Sequence, residues 1–451
     1  MTRQAVGLFF LTFVTYAYFF GGGGWNQNAN FDLTRAIVEQ HTFAIDAYYT
    51  NTGDVSVHGG HIYANKAPGL SLLAILIPFR SMYAATVGVC ATAGALLIVL
   101  IYNYSRSMKL ALLFAFGTYI FAYSTVFFAH VPTALFLFLA FAKREKPWLA
   151  GAALGAAVLC NYAALPAAIV IAVLIAFERP REMAKVIAGG LPFAIFLFAY
   201  QTICFGGPFR TAVEATTPNF RTPGAFLGVF TLPHPSVAFL LLFSRYRGLF
   251  FLCPILILAF AGIRKREMVA VAGVFLSFLI VNASFNGWHG GSAIGPRYLL
   301  PAMPFLVVPM MAVADRLRAA WIILGAISIA FNFAVVAVNP LPSRTIADPL
   351  FRYTFPLLIT GRLPADTPPF PPYAWKLSLG HVSVNRQTDD ELAAFQKHPS
   401  GTPEAEWASF NLGELLAPGS VASLLPIAIW MAAGSAWLLV DERRRRLSPA
   451  R

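Results

Sequence analysis

Apolar runs of roughly membrane-crossing length recur from residue 5 to residue 440, and the basic residues fall in short clusters between them. The clusters are Arg106 to Lys109, Lys143 to Lys146, 179–185, 264–266, 316–318 and 443–446. A bilayer of about 30 Å takes about 20 apolar residues per helical crossing, and Lys and Arg mark the cytoplasmic loops. A chain patterned this way can bury its backbone only as a helical bundle in lipid. The expected fold is therefore an all-α integral membrane protein, a polytopic helical bundle with exterior amphipathic helices and loops.

Composition agrees: only 12% of residues are charged and 58% are hydrophobic, against about 25% charged in soluble domains. The net charge of +13 belongs to the loop clusters, so it argues for the lipid bilayer as partner and against nucleic acid. Cys90, Cys160, Cys204 and Cys253 lie within or at the edges of apolar runs, where they read as small buried hydrophobes.

Residues 5–20, continuing to about 23, are the first expected span. Segment 67–103 is too long for one crossing, and Pro78 and Arg80 divide it into a short interfacial helix and a span at 82–103. Between Lys109 and Lys143, and between Lys146 and Glu178-Arg179, about thirty apolar residues return to a basic loop, too few for two full crossings. Each has a midpoint break, at His130-Val131-Pro132 and at Asn161-Tyr162 with Pro166 beyond. Two short tilted helices are expected in each. Further spans are expected at 183–204, 248–263, 268–284, 298–314, 320–338 and 421–440, which brings the count to about twelve with both ends inside. The organisation read from this is a transmembrane module at 1–338, an exterior Pro-rich loop or small subdomain at 339–420, and a last helix with a basic cytoplasmic tail at 421–451.

The other side collects the long polar segments 25–66, 205–247, 285–297 and 339–420. The first holds Asp32, Asp46, Asp54 and Lys66 between two apolar runs, and ionisable groups so placed are expected to act on something. NFDLTRAIVEQ reads as an amphipathic helix with Leu33, Ala36 and Ile37 on one face and Asp32, Arg35 and Glu39 on the other. Lys66, three residues after Tyr63, either snorkels to the interface or meets a phosphate. In FNGWHGGSAIGPRY, Trp288, His289 and Arg297 stand among glycines that let the backbone approach a ligand. Arg297 is on the wrong side to be a topological anchor, and its fork suits phosphate oxygens. His130 precedes a Val-Pro turn. Arg245 and Arg247 in FSRYRGLFF are on the exterior side too, where either an anion or a lipid headgroup is the expected contact. The sequence contains no P-loop, GxSxG, HExxH or CxxC motif.

The order NANFDLTRAIVEQ, YANKAPG, YSTVFFAHVPTALF, LLFSRYRGLFFLCP and GWHGGSAIGPRYLLPAMPF, with a late FNLGELLAPGSVASLLP, resembles the GT-C membrane glycosyltransferases. Within that group it is similar to bacterial relatives of the protein O-mannosyltransferases and aminoarabinose transferases. The resemblance implies a polyprenyl-phosphate-linked sugar donor and an exterior acceptor that is a lipid, a polysaccharide or a protein. It implies a catalytic base at Asp32, a second acidic candidate at Asp54, and contacts from Lys66 and Arg297 to the donor phosphate. Tyr63, Trp288, His289, His130, Arg245 and Arg247 are the pocket candidates. The GPRY segment is poorer in aromatics than the family pattern. No metal ligand set is implied and no cofactor is required, with a divalent cation left open. The implied place is the inner membrane with the site facing the periplasm. A lipid-linked glycan transporter and an envelope polymer ligase are the alternatives; transporters place ionisable groups at mid-membrane, and the spans 268–284, 320–338 and 421–440 hold none.

Overall fold

The structure is a computed structural model that describes residues 2–78, 81–216, 220–262, 268–313, 316–361, 409–418 and 420–447. The basic cluster 264–266, Arg80 and the Pro-rich run 364–373 within the expected 339–420 subdomain lie outside the described residues.

The chain is a polytopic helical bundle. Four helices are long and apolar enough to cross a membrane: Met82–Ser105, Pro180–Phe205, Arg318–Val338 and Val421–Arg445. Shorter apolar helices pack among them, including His130–Ala142, Pro147–Cys160, Tyr162–Glu178 and Met268–Ser284. The outward side chains are apolar too, with Phe177, Val269 and Ile322 each more than two-thirds exposed. A helix apolar on every side belongs in lipid.

Both expected hairpins form from short helices. The first runs from Met108–Phe116 through the short Ile120–Ser124 to His130–Ala142. In the second, Pro147 opens one helix, Asn161 accepts from the Ala163 N–H at the break, and Pro166 sits in the first turn of the next. The interfacial helix after the polar loop is Gly69–Ala74, with Pro78 between it and the helix that Ser81 caps. Two expected spans take another form. Residues 254–262 and 297–306 are 3-10 helices rather than α-helices. Pro254, Pro301 and Pro304 remove amide donors there, and the rise of about 2 Å per residue carries a short segment farther through the bundle.

Packing is closest where small residues meet. A Cβ on Gly151 would lie 1.9 Å from the Val186 carbonyl oxygen, so only glycine lets Pro147–Cys160 and Met183–Phe205 come together there. Lipid offers no hydrophobic drive between helices, so such backbone proximity is what holds them.

Contacts sort the loops to two ends. At one end the basic loops meet: Arg144 pairs with Glu178 at 2.8 Å, and Glu442 accepts from the Met108 N–H. At the other the polar segments meet. Ser56 donates to the Ala212 carbonyl, the Thr231 N–H to Ser284, the Ile294 N–H to Pro340, and Asn339 to Ser409. Phe19–Phe20 pairs antiparallel with Phe410–Asn411, which pins the far end of the 339–420 segment to this end. Val55–His58 and His61–Ala64 form a β-hairpin around Gly59-Gly60, both at positive φ. The expectation of helices and loops alone missed this hairpin, although a Gly-Gly pair between alternating apolar residues is its ordinary signal.

Candidate active site

The polar end encloses a cavity of about 450 Å³, within the usual size range of small-molecule pockets. It is built from loops far apart in sequence. Trp25 to Gln27 open the first polar helix, Asp54 and Lys66 flank the β-hairpin, Arg221 and Thr222 come from the 206–234 loop, His289 to Ser292 and Arg297 from the glycine-rich loop, and Arg344 from the segment after Val338.

Lys66 Nζ lies 2.9 Å from Asp54 Oδ2, both side chains largely buried. The residue before the lysine, Asn65, fixes the base of the hairpin. Its side-chain N–H donates to Thr216 at 3.3 Å, and its backbone N–H donates to the Asp54 carbonyl.

Arg297 is 8% exposed. Its Cζ sits 4.7 Å from the Phe128 ring centroid and 4.9 Å from that of Tyr298, and one Nη donates to the Tyr298 hydroxyl at 3.0 Å. Ring faces stabilise a desolvated cation, yet no described carboxylate pairs with this guanidinium. Gly290 lies against it at φ +75°, and a Cβ there would stand 3.0 Å from Arg297 Nε. The glycine is needed both for the left-handed backbone and for the space.

Arg247 is fully buried and donates to the His289 carbonyl at 2.7 Å, to the Gly291 carbonyl at 3.0 Å and to Tyr246. It therefore shapes the glycine-rich loop from behind and does not line the cavity. His289 does line it. Burial, helped by Arg247, Arg344 and Arg297, lowers its pKa to about 4, so its ring is neutral near pH 7.

Several sequence-chosen residues lie elsewhere. Asp32 is 0% exposed and accepts from the Asn51 side chain at 3.2 Å; it is absent from the cavity wall. The expected polar face of its helix is instead divided. Arg35 and Glu39 pair at 3.6 Å and stay partly exposed, while Asp32 turns inward, where the loop carrying Asn51 covers it. Asp32 and the cavity are thus separated by the covering loop. Tyr63 packs on Phe205 at 5.6 Å, and Trp288 on Tyr246 at 6.0 Å. His130 is held among the rings of Tyr123, Phe128 and Tyr298, behind Arg297. Arg245 is mostly exposed and pairs with Asp348 at 3.4 Å. The sequence reading missed Arg221 and Arg344, although the argument applied to Arg245, a cation on the side without topological anchors, covers them equally. Among the described residues no group of three or more His, Cys, Asp or Glu is arranged to hold a metal ion.

No family model and no curated protein matches the chain. Two solved structures do. The fold resembles that of ArnT. The structure of ArnT from Cupriavidus metallidurans bound to undecaprenyl phosphate aligns with a TM-score of 0.49 and 16% identity over 74% of this chain and 62% of that one. The apo state of the same enzyme aligns with a TM-score of 0.48 and 14% identity over 73% and 61%. The chain thus spans less than two-thirds of the length of the ArnT structures it matches.

Proposed function

We propose that this chain is a membrane glycosyltransferase that moves a sugar from a polyprenyl-phosphate-linked donor to an acceptor on the exterior side. The observation that carries the reading is the charge of the cavity: Lys66, Arg221, Arg297 and Arg344 line it against a single carboxylate, Asp54. No described carboxylate lies within ion-pair distance of the buried Arg297 guanidinium, Asp54 acting on it only from farther off, and a bound phosphate adds charge-assisted hydrogen bonds to it. The surrounding bundle supplies lipid-facing walls for an isoprenoid chain, and an exterior enzyme needs a donor that reaches it within the membrane.

The step is a single displacement with inversion. The acceptor hydroxyl oxygen bonds to the anomeric carbon as the bond from that carbon to the phosphate oxygen breaks. The electron pair leaves on the polyprenyl phosphate, and the hydroxyl proton passes to a carboxylate. Asp54 takes the role of base in place of Asp32, because it alone among the described carboxylates lines the cavity. Phosphate departs as a stable anion without a general acid, so one carboxylate suffices where glycosidases use two. Arg297 and Lys66 stabilise the charge that develops on the leaving phosphate; as the proton reaches Asp54, Lys66 loses its ion-pair partner and turns to the phosphate. The inner membrane, with the site on the periplasmic side, is the matching location.

The test uses purified protein in lipid nanodiscs with a synthetic polyprenyl-phosphate sugar and the matching nucleotide sugar in parallel. Release of free polyprenyl phosphate with formation of a glycosylated acceptor is expected from the lipid-linked donor alone. Transfer from the nucleotide sugar alone overturns the reading. Donor moved across the bilayer without cleavage would instead make the protein a transporter.

A further inference from the structure

The glycine-rich loop fixes more than the position of His289; it fixes which ring nitrogen carries the proton. The Gly291 N–H donates to His289 Nδ1 at 2.9 Å. A backbone amide is only a donor, so Nδ1 must hold a lone pair, and the proton of the neutral ring is on Nε2. Two carbonyls of the same loop, His289 and Gly291, are held by the buried Arg247 guanidinium at 2.7 and 3.0 Å, so the turn that presents the Gly291 N–H cannot swing away without breaking both bonds. His289 borders the cavity, and no described residue bonds its Nε2. One residue on, Gly290 lies against Arg297 Nε. The imidazole and the Arg297 guanidinium therefore share one wall.

We infer that His289 is a neutral hydrogen-bond donor to an oxygen of the anionic group that Arg297 binds, its Nε2–H held in place by the Gly291 amide and the Arg247 clamp. This rests on the reading of the cavity as the site of a polyprenyl phosphate. The arrangement has a chemical rationale. A second donor without charge orients the phosphate beside three guanidinia and adds no further repulsion among them. It also withholds the imidazole from base chemistry: its one lone pair already accepts from Gly291, and the other ring nitrogen bears a proton. The lowering of the His289 pKa by burial and by Arg247, Arg344 and Arg297 acts in the same direction, because it keeps the ring uncharged.

The experiment has two arms, both on full-length protein in nanodiscs. In the first, nitrogen NMR of histidine-labelled protein is compared with His289→Gln to assign the His289 ring. A protonated Nε2 beside an unprotonated Nδ1 at pH 7 supports the inference; the opposite tautomer or an imidazolium overturns it. In the second, binding of undecaprenyl phosphate is titrated. His289→Phe, which removes the donor, is expected to weaken binding about tenfold or more, as for a hydrogen bond to a charged group. His289→Gln, whose amide N–H reaches to the Nε2 position, is expected to restore most of it. Equal binding by wild type and a folded His289→Phe overturns the inference alone. A wild type that binds no undecaprenyl phosphate overturns the donor reading and this inference with it, so the two failures are distinct. The NMR arm uses only wild-type chemistry at the assigned signal, so a His289→Phe protein that does not fold leaves both it and the His289→Gln titration decisive.

Discussion

Lys66 Nζ and Asp54 Oδ2 stand 2.9 Å apart in the wall of the cavity, where one is the expected phosphate contact and the other the carboxylate nearest to it. In the proposed reaction this pair joins two roles in one contact: Lys66 holds Asp54 in place as the base before an acceptor arrives, and the same lysine is available to the phosphate once Asp54 is protonated.

Asp54→Asn keeps the side-chain shape and removes proton acceptance, so turnover is expected to fall by about 10²–10⁴ with the protein still folded. Asp32→Asn is expected to behave differently, with a lowered melting temperature and near-normal turnover per folded molecule. Turnover and thermal unfolding measured on both variants check the assignment. A large loss of turnover in a stable Asp32→Asn protein would return the base to Asp32.

Arg297 lies between the Phe128 and Tyr298 rings, and a lysine there keeps the charge but loses the planar fork. Arg297→Lys is expected to weaken polyprenyl phosphate binding by about 1.5–3 kcal/mol, the range for hydrogen bonds to charged groups. Acceptor affinity should change little. Titration of the two ligands separately reads the difference.

Gly290→Ala adds a Cβ 3.0 Å from Arg297 Nε at a φ of +75°. The backbone strain alone costs about 1–2 kcal/mol, and the guanidinium must shift as well. The donor KM is expected to rise in a protein that still folds. Gly361→Ala, at φ +66° with nothing within 4 Å of the added carbon and away from the cavity wall, carries only the strain and serves as the control.

Glu414 accepts from both the backbone and the side-chain N–H of Asn411, at the turn that leads into the last helix. Burial raises its pKa to about 7 from an ordinary value of 4.5. The folded protein therefore binds this proton more tightly than the unfolded chain does. Its contribution is present below pH 4.5 and is lost as the pH rises through about 7. Unfolding measured across that range should show Glu414→Gln with a flatter pH dependence than wild type.

Sidedness has a direct test. All four cysteines are buried, so the wild type is expected to give little background with an impermeant thiol reagent. Gly60→Cys at the β-turn and Glu145→Cys in the basic loop should label from opposite sides of an oriented membrane. Labelling from the same side would overturn the exterior placement of the cavity.

Hydropathy and charge order are enough to establish the class of this protein and where most of its apolar segments break. Both are sums over neighbouring residues, and lipid leaves the backbone no alternative to the helix. The break at Asn161, the short helix before Pro78 and the separation of polar from basic loops were all legible for that reason. Positions of prolines were legible too, but not their effect at 254–262 and 297–306, where neighbouring helices stabilise a 3-10 path. Which ionisable groups meet is a matter of tertiary packing. Asp32 and Asp54 are equally acidic and belong to the same polar segment. One is buried because the loop bearing Asn51 folds over it, and the other faces the cavity because the hairpin turns it there. Arg247 and Arg297 divide in the same way, one clamping the loop and one lining the cavity. Burial and direction come from contacts between segments tens to hundreds of residues apart, and no local sum contains them.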